Sequence, residues 1–188
     1  DGVAPTSPPA ALAVGTPLTA QDSADTLRVA NGLQEIVFDK GAGTIRSWRV
    51  GNRNVLVGGP VVSLGEAKAG DERGYLKATQ PPVTGNAQVT SAPSANGAIR
   101  VSVTSNLRSG AGGAALGKLT NTYDIAPNAE IRVAWKLDWT APDERLWESG
   151  LKLSVPTELT KMSWSRDAYF ADYPAGHLGE PEGTCQAG

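Results

Sequence analysis

The 188-residue sequence has a single cysteine, a single histidine and a single methionine. With Cys185 alone, no internal disulfide can form and no thiolate cage can hold a metal. With His177 alone, acid and base roles cannot be shared between two imidazoles, and a Ser-His-Asp triad would have to use this one ring. The sequence also has no Gly-x-Ser-x-Gly elbow. Neither sign of charge dominates: 17 basic and 19 acidic side chains leave a net charge of -2. That balance gives no footprint for nucleic acid or an anionic membrane, so neither is expected as a partner. No apolar run reaches the roughly 18 residues of a spanning helix, and the N-terminus lacks the basic-then-apolar order of a secretory signal. Helical periodicity is absent too, since no segment keeps apolar residues at helical spacing over three turns.

What is present is turn chemistry and period-two alternation. The chain carries 22 Gly and 13 Pro, and from Leu27 onward short alternating runs are divided by turn residues, the signature of antiparallel sheet. In "TLRVANGLQEIVFD" the Asn31-Gly32 pair predicts a tight hairpin with positive φ at both central residues. Gly51-Asn52 divides "GTIRSWRV" from "RNVLV". "AIRVSVTSNL" places Ile99, Val101 and Val103 on one face. "AEIRVAWKLDW" is the cleanest strand, with Ile131, Val133, Trp135, Leu137 and Trp139 on a face expected to be dry. These patterns predict an all-β fold, an antiparallel β-sandwich over residues 26–175. The Pro- and Ala-rich residues 1–25 read as a linker, residues 176–188 as a flexible tail, and the stretch from Ser63 to Val83 as a long irregular excursion. A linker-like start suggests a module of a larger protein.

Few segments suggest chemistry. "SGAGGAALG", Ser109 to Gly117, superficially resembles a phosphate loop, but "KLTNTYDI" after it alternates like a strand where a nucleotide site needs a helix. A hairpin loop is the better reading. Asp143, Glu144 and Glu148 fall in a connection and read as solvated acids rather than a glycosidase pair. Asp71 with Glu72, or Asp143 with Glu144, matches no calcium-loop spacing. No metal and no cofactor are expected. Of the five tryptophans, Trp135 and Trp139 read as core, whereas Trp48, Trp147 and Trp164 lie near turns and could form a sugar-stacking platform.

The stretch "LRVANGLQEIVFDKGAGTIRSWRVGNRNVLVGGPVVSL" resembles the opening of the C-terminal β-sandwich of the large β-galactosidases of glycoside hydrolase family 2. The matching elements are Phe38-Asp39-Lys40, Gly43, Ile45, Ser47-Trp48 and Gly59-Pro60. "LTNTYDIAPNAEIRVAWKLD" is similar to a later hairpin of that domain, and "SGLKLSVPTELTKMSWSRDAYFADYP" to the segment ending in its aromatic motif. The likeness runs from about Leu27 to Pro174. Departures accompany it: the family's charged loop after Gly-Pro is replaced by "GEAKAGDERGY", the Gly-Pro after the motif tryptophan by "SRDA", and the motif's last aspartate by Ala175.

The resemblance implies a galactose-mutarotase-like sandwich, incomplete at its C-terminus, whose parent keeps its catalytic carboxylates in a separate (β/α)₈ barrel. It therefore implies a non-catalytic accessory domain that supports the catalytic domain and binds carbohydrate, a galactoside or plant-type oligosaccharide. Its partners would be that sugar and the neighbouring domains of the parent enzyme. Trp164, Tyr169 and Tyr173 would stack on sugar rings, while Arg166, Asp167, Asp172 and His177 would bond hydroxyls. Two alternatives stand beside it: an aldose epimerase or polysaccharide lyase working through His177, and a purely structural interdomain module. Export to the periplasm or medium is the favoured compartment, as polysaccharide-degrading enzymes are often exported.

Overall fold

The computed structural model describes residues 16–64, 82–110, 112–141, 149–165 and 181–186. Contacts divide the chain into two units, Asp1–Ser154 and Val155–Gly188.

The first unit is an all-β antiparallel sandwich. One sheet holds β1 (Thr19–Asp22), β2 (Thr26–Ala30), β3 (Gln34–Asp39), β4 (Thr44–Val50), β6 (Gly58–Leu64) and β11 (Ser149–Ser154) in the order β1-β2-β3-β4-β6-β11, with β5 (Arg53–Leu56) paired to β4. The other holds β7 (Pro82–Pro93), β8 (Ile99–Ser109), β9 (Ala115–Ile125) and β10 (Ile131–Trp139) in the order β10-β9-β8-β7. Every pair is antiparallel, and most join successive strands through short connections that reverse the chain.

Alternation supplies the core. Leu27, Val29, Ile36, Phe38 and Ile45 face Val101, Val103, Tyr123 and Ile125, and the Phe38 and Tyr123 rings meet edge to face at 5.1 Å. Each such side chain contributes about 1.5–3 kcal/mol on burial. A second cluster joins Val62 and Leu64 of β6 to Leu107, Leu116 and Leu119, with Leu137 and Trp139 of β10 against it. β10 therefore lies under the β6 side of the sandwich. On the opposite side, a groove of about 320 Å³ is lined by Leu18 and Ala20 of the β1 region and by Ser91 to Pro93 of β7.

Several sequence expectations need correction. The Asn31-Gly32 hairpin forms, but neither residue takes a positive φ. The Asn31 side chain makes the turn instead, its Oδ1 accepting from the N–H groups of Leu33 and Gln34, both at 2.9 Å. Its Nδ2 donates to the carbonyls of Thr16 and Pro127, and the buried Gln34 donates to that of Ala126. Trp48, read as a platform near a turn, is half-buried against the core, and its Nε1 donates to Gln34 Oε1 at 3.2 Å. An inward register outweighs nearness to a turn. β1 falls inside the stretch read as a linker, as an exposed edge strand. A further strand pair uses part of the predicted tail: β12 (Lys161–Ser165) with β13 (Glu182–Gln186). The predicted loop after Ser109 does lead into a strand, closed by the Ser109 N–H donating to Ala114 O at 3.0 Å.

Trp135 is the largest departure. It and Val133 occupy the expected inward face of β10 yet are 36 % and 40 % exposed. β10 is an edge strand, so only one neighbour in its own sheet covers it.

Candidate functional site

In sequence, the residues that the resemblance marks for sugar binding are Trp164 of β12 and six positions in the segment that follows it. Of them, Trp164 is described; Arg166, Asp167, Tyr169, Asp172, Tyr173 and His177 lie outside the described residues. So do the acids Asp71, Glu72, Asp143, Glu144 and Glu148, and Trp147.

Trp164 sits in the second unit, directly opposite Gly183 in the β12–β13 register. The six-membered ring of its indole covers that glycine so closely that a Cβ at 183 would collide with it. Only glycine fits beneath the ring, and the packing holds the indole flat on the hairpin. Met162, on the same face, is 48 % exposed and pairs with Cys185. Trp164, read as a candidate stacking platform, is half-buried. A two-stranded hairpin has no second layer to cover that face from within. The other face is polar: Ser163 and Thr184 hydroxyls lie 3.0 Å apart, and Ser165 Oγ donates to Glu182 Oε1 at 3.2 Å. These polar groups lie on the face opposite the Trp164 indole.

In the sandwich, the Gly59-Pro60 pair has a structural explanation. The peptide bond between them is cis, and Gly59 has φ +100°, where a side chain would be strained and would meet the backbone of Lys152 and Leu153 on β11. The glycine allows β11 to approach β6, so this motif serves packing rather than chemistry.

One of the charged pairs joins β8 to β9 on the outer face. Arg100 Nε and Nη2 donate to Asp124 at 2.7 and 3.0 Å, beside a cleft of about 240 Å³ that Asp124, Glu130 and Arg132 help to line. The hydrogen bond from Arg100 is the main reason the Asp124 carboxyl stays below the usual carboxylate range, and it raises the Arg100 guanidinium in turn. An acid held ionised in this way is a poor proton donor near neutrality. Among the described residues no group of three His, Cys, Asp or Glu side chains could hold a metal ion.

Two buried polar atoms, Asn121 Oδ1 and Tyr123 Oη, have no hydrogen-bond partner among the described residues. Burial pushes the Tyr123 phenol well above its ordinary range, with the neighbouring Asn121 opposing the shift. Both sit on the inward face of β9, where sequence alternation marks an apolar position and gives no sign of a polar one.

The fold and the hairpin define an all-β module with a half-exposed aromatic shelf and, among the described residues, no assembled acid–base centre. A family model described as Beta galactosidase small chain matches residues 30–167. That span is well over half of the chain, which therefore belongs to this family. Among curated proteins no relative matches.

Proposed function

We propose that this chain is a non-catalytic accessory β-sandwich domain of a β-galactosidase-like glycoside hydrolase. It supports the catalytic domain of its parent and binds carbohydrate, a galactoside or plant-type oligosaccharide, at the end of β12. The observation that carries the sugar-binding part is the Trp164 indole held over Gly183, at the point where the chain enters the segment containing Arg166, Asp167, Tyr169, Asp172 and Tyr173. A flat aromatic surface suits the apolar face of a sugar ring, and the acids, arginine and His177 of the following segment suit its hydroxyls.

Isothermal titration of the 188-residue chain with galactosides and plant-wall oligosaccharides tests the reading. Binding heat that disappears in Trp164→Ala supports it. Folded protein that gives no heat with any of these sugars leaves only the supporting role. The exposed Val133, Trp135 and Leu153 of the sandwich favour that structural role as the second reading, since uncovered apolar side chains mark contact surfaces.

A further inference from the structure

Among the described residues, the outer edge of β10 from Val133 to Leu137 combines an unpaired backbone ladder with a partly exposed apolar face. Its ladder with β9 is fixed at both ends, by Ala126 N–H donating to Glu130 O and Thr140 N–H donating to Leu116 O, each at 2.9 Å. Orientation alternates along an antiparallel pair, so Arg132, Ala134, Lys136 and Asp138 turn their backbone groups toward β9. Val133, Trp135 and Leu137 turn theirs to the open edge, and no strand among the described residues pairs there. The strand runs nine residues in unbroken register without proline or bulge, the kind of edge that proteins ordinarily blunt.

We propose that β10 is a self-association surface, pairing antiparallel with β10 of a second copy about a two-fold axis at Trp135. Trp135 is the midpoint of Ile131–Trp139, so a two-fold axis there centres the pairing on Val133, Trp135 and Leu137. Read backwards against itself, the strand is complementary. Val133 meets Leu137 on the inward face, and Trp135 meets its own copy. On the outward face Arg132 meets Asp138, and symmetry makes that contact twice. Lys136 faces Ala134 rather than another cation. The side chains involved are available: Arg132 is 80 % and Asp138 48 % exposed, and the latter contacts only Lys136 of its own strand, at 2.6 Å, among described ion pairs. Pairing would also cover the apolar surface of Val133 and Trp135 left open by the edge position. Such an interface is isologous and closes at two copies, because each β10 has only one open edge.

Sedimentation velocity of the 188-residue chain in reducing buffer, across micromolar concentrations, tests the proposal. A reversible monomer–dimer equilibrium is expected. Arg132→Asp sets like charges opposite each other at both symmetric contacts and should raise the dissociation constant about tenfold or more; Asp138→Arg should do the same. An equimolar mixture of the two single variants restores both contacts, so it should form a heterodimer near wild-type strength, as should the double swap as a homodimer. Circular dichroism of each variant separates lost association from lost folding. The inference is overturned by a monomer at every concentration, by a dimer indifferent to Arg132→Asp, or by a weakened dimer that neither the mixture nor the swap restores.

Discussion

β9 and β10 carry the same alternation and pair with each other over nine positions, yet their inward faces differ. On β9, Leu119, Asn121, Tyr123 and Ile125 are buried; opposite them on β10, Leu137 is half-buried while Trp135 and Val133 are exposed. The chemistry of the side chains does not separate the two strands, since the more apolar of them is the more exposed. Position does. β9 has β8 on its other side and β3 across the core, whereas β10 ends its sheet and touches the second layer only near its ends, through Ile131 and through Leu137 with Trp139. Period two states which side chains share a face; the number of covering neighbours states what that face is worth.

Substitutions at paired positions test the contrast. Leu119 and Leu137 are direct cross-strand partners. Leu119→Ala should cost about 2–5 kcal/mol in urea unfolding, by lost transfer energy and a cavity. Leu137→Ala should cost clearly less because its site is partly wet, and equal losses would refute the comparison. Tyr123→Phe comes next in size. It removes a buried hydroxyl with no described partner and should stabilise the sandwich by about 1 kcal/mol; a loss of similar size would reveal a hydrogen bond to Oη. Val133→Thr, measured in dilute protein, should stay within about 0.5 kcal/mol of wild type, because the added hydroxyl remains solvated. The smallest effect belongs to the outer face. The folded-state pKa of Asp124 lies below its ordinary value of 3.8, so the stability it adds is present above that value and declines as pH falls through the folded pKa. Melting temperatures recorded through the acid range should fall slightly less steeply for Asp124→Asn than for wild type.

Legibility followed the range of the interactions. The hairpins at Asn31-Gly32 and Gly51-Asn52 were readable because a turn is made by neighbours in sequence. The knot around Asn31, Gln34 and Trp48 was not, since Gln34 and Asn31 reach the carbonyls of Ala126 and Pro127, more than 90 positions away. Gly183 appeared to belong to a tail because nothing local reveals that it faces Trp164. Of the sugar-binding residues expected by resemblance, Trp164 could be named from the sequence as a candidate platform, and its packing on Gly183 emerged only from pairing.

The sequence alone determined that the chain is built of antiparallel strands, where most of them turn, and which side chains lie on a common face, because φ/ψ preference and side-chain alternation act between near neighbours. It also carried the family, through motifs such as Gly59-Pro60. Tertiary structure decided which alternating face becomes core, why Gly59 must be glycine, and that β10 ends its sheet among the described residues with Val133 and Trp135 exposed. Those outcomes depend on which strands become neighbours across the sheets, and burial is a property of that assembly rather than of any one strand.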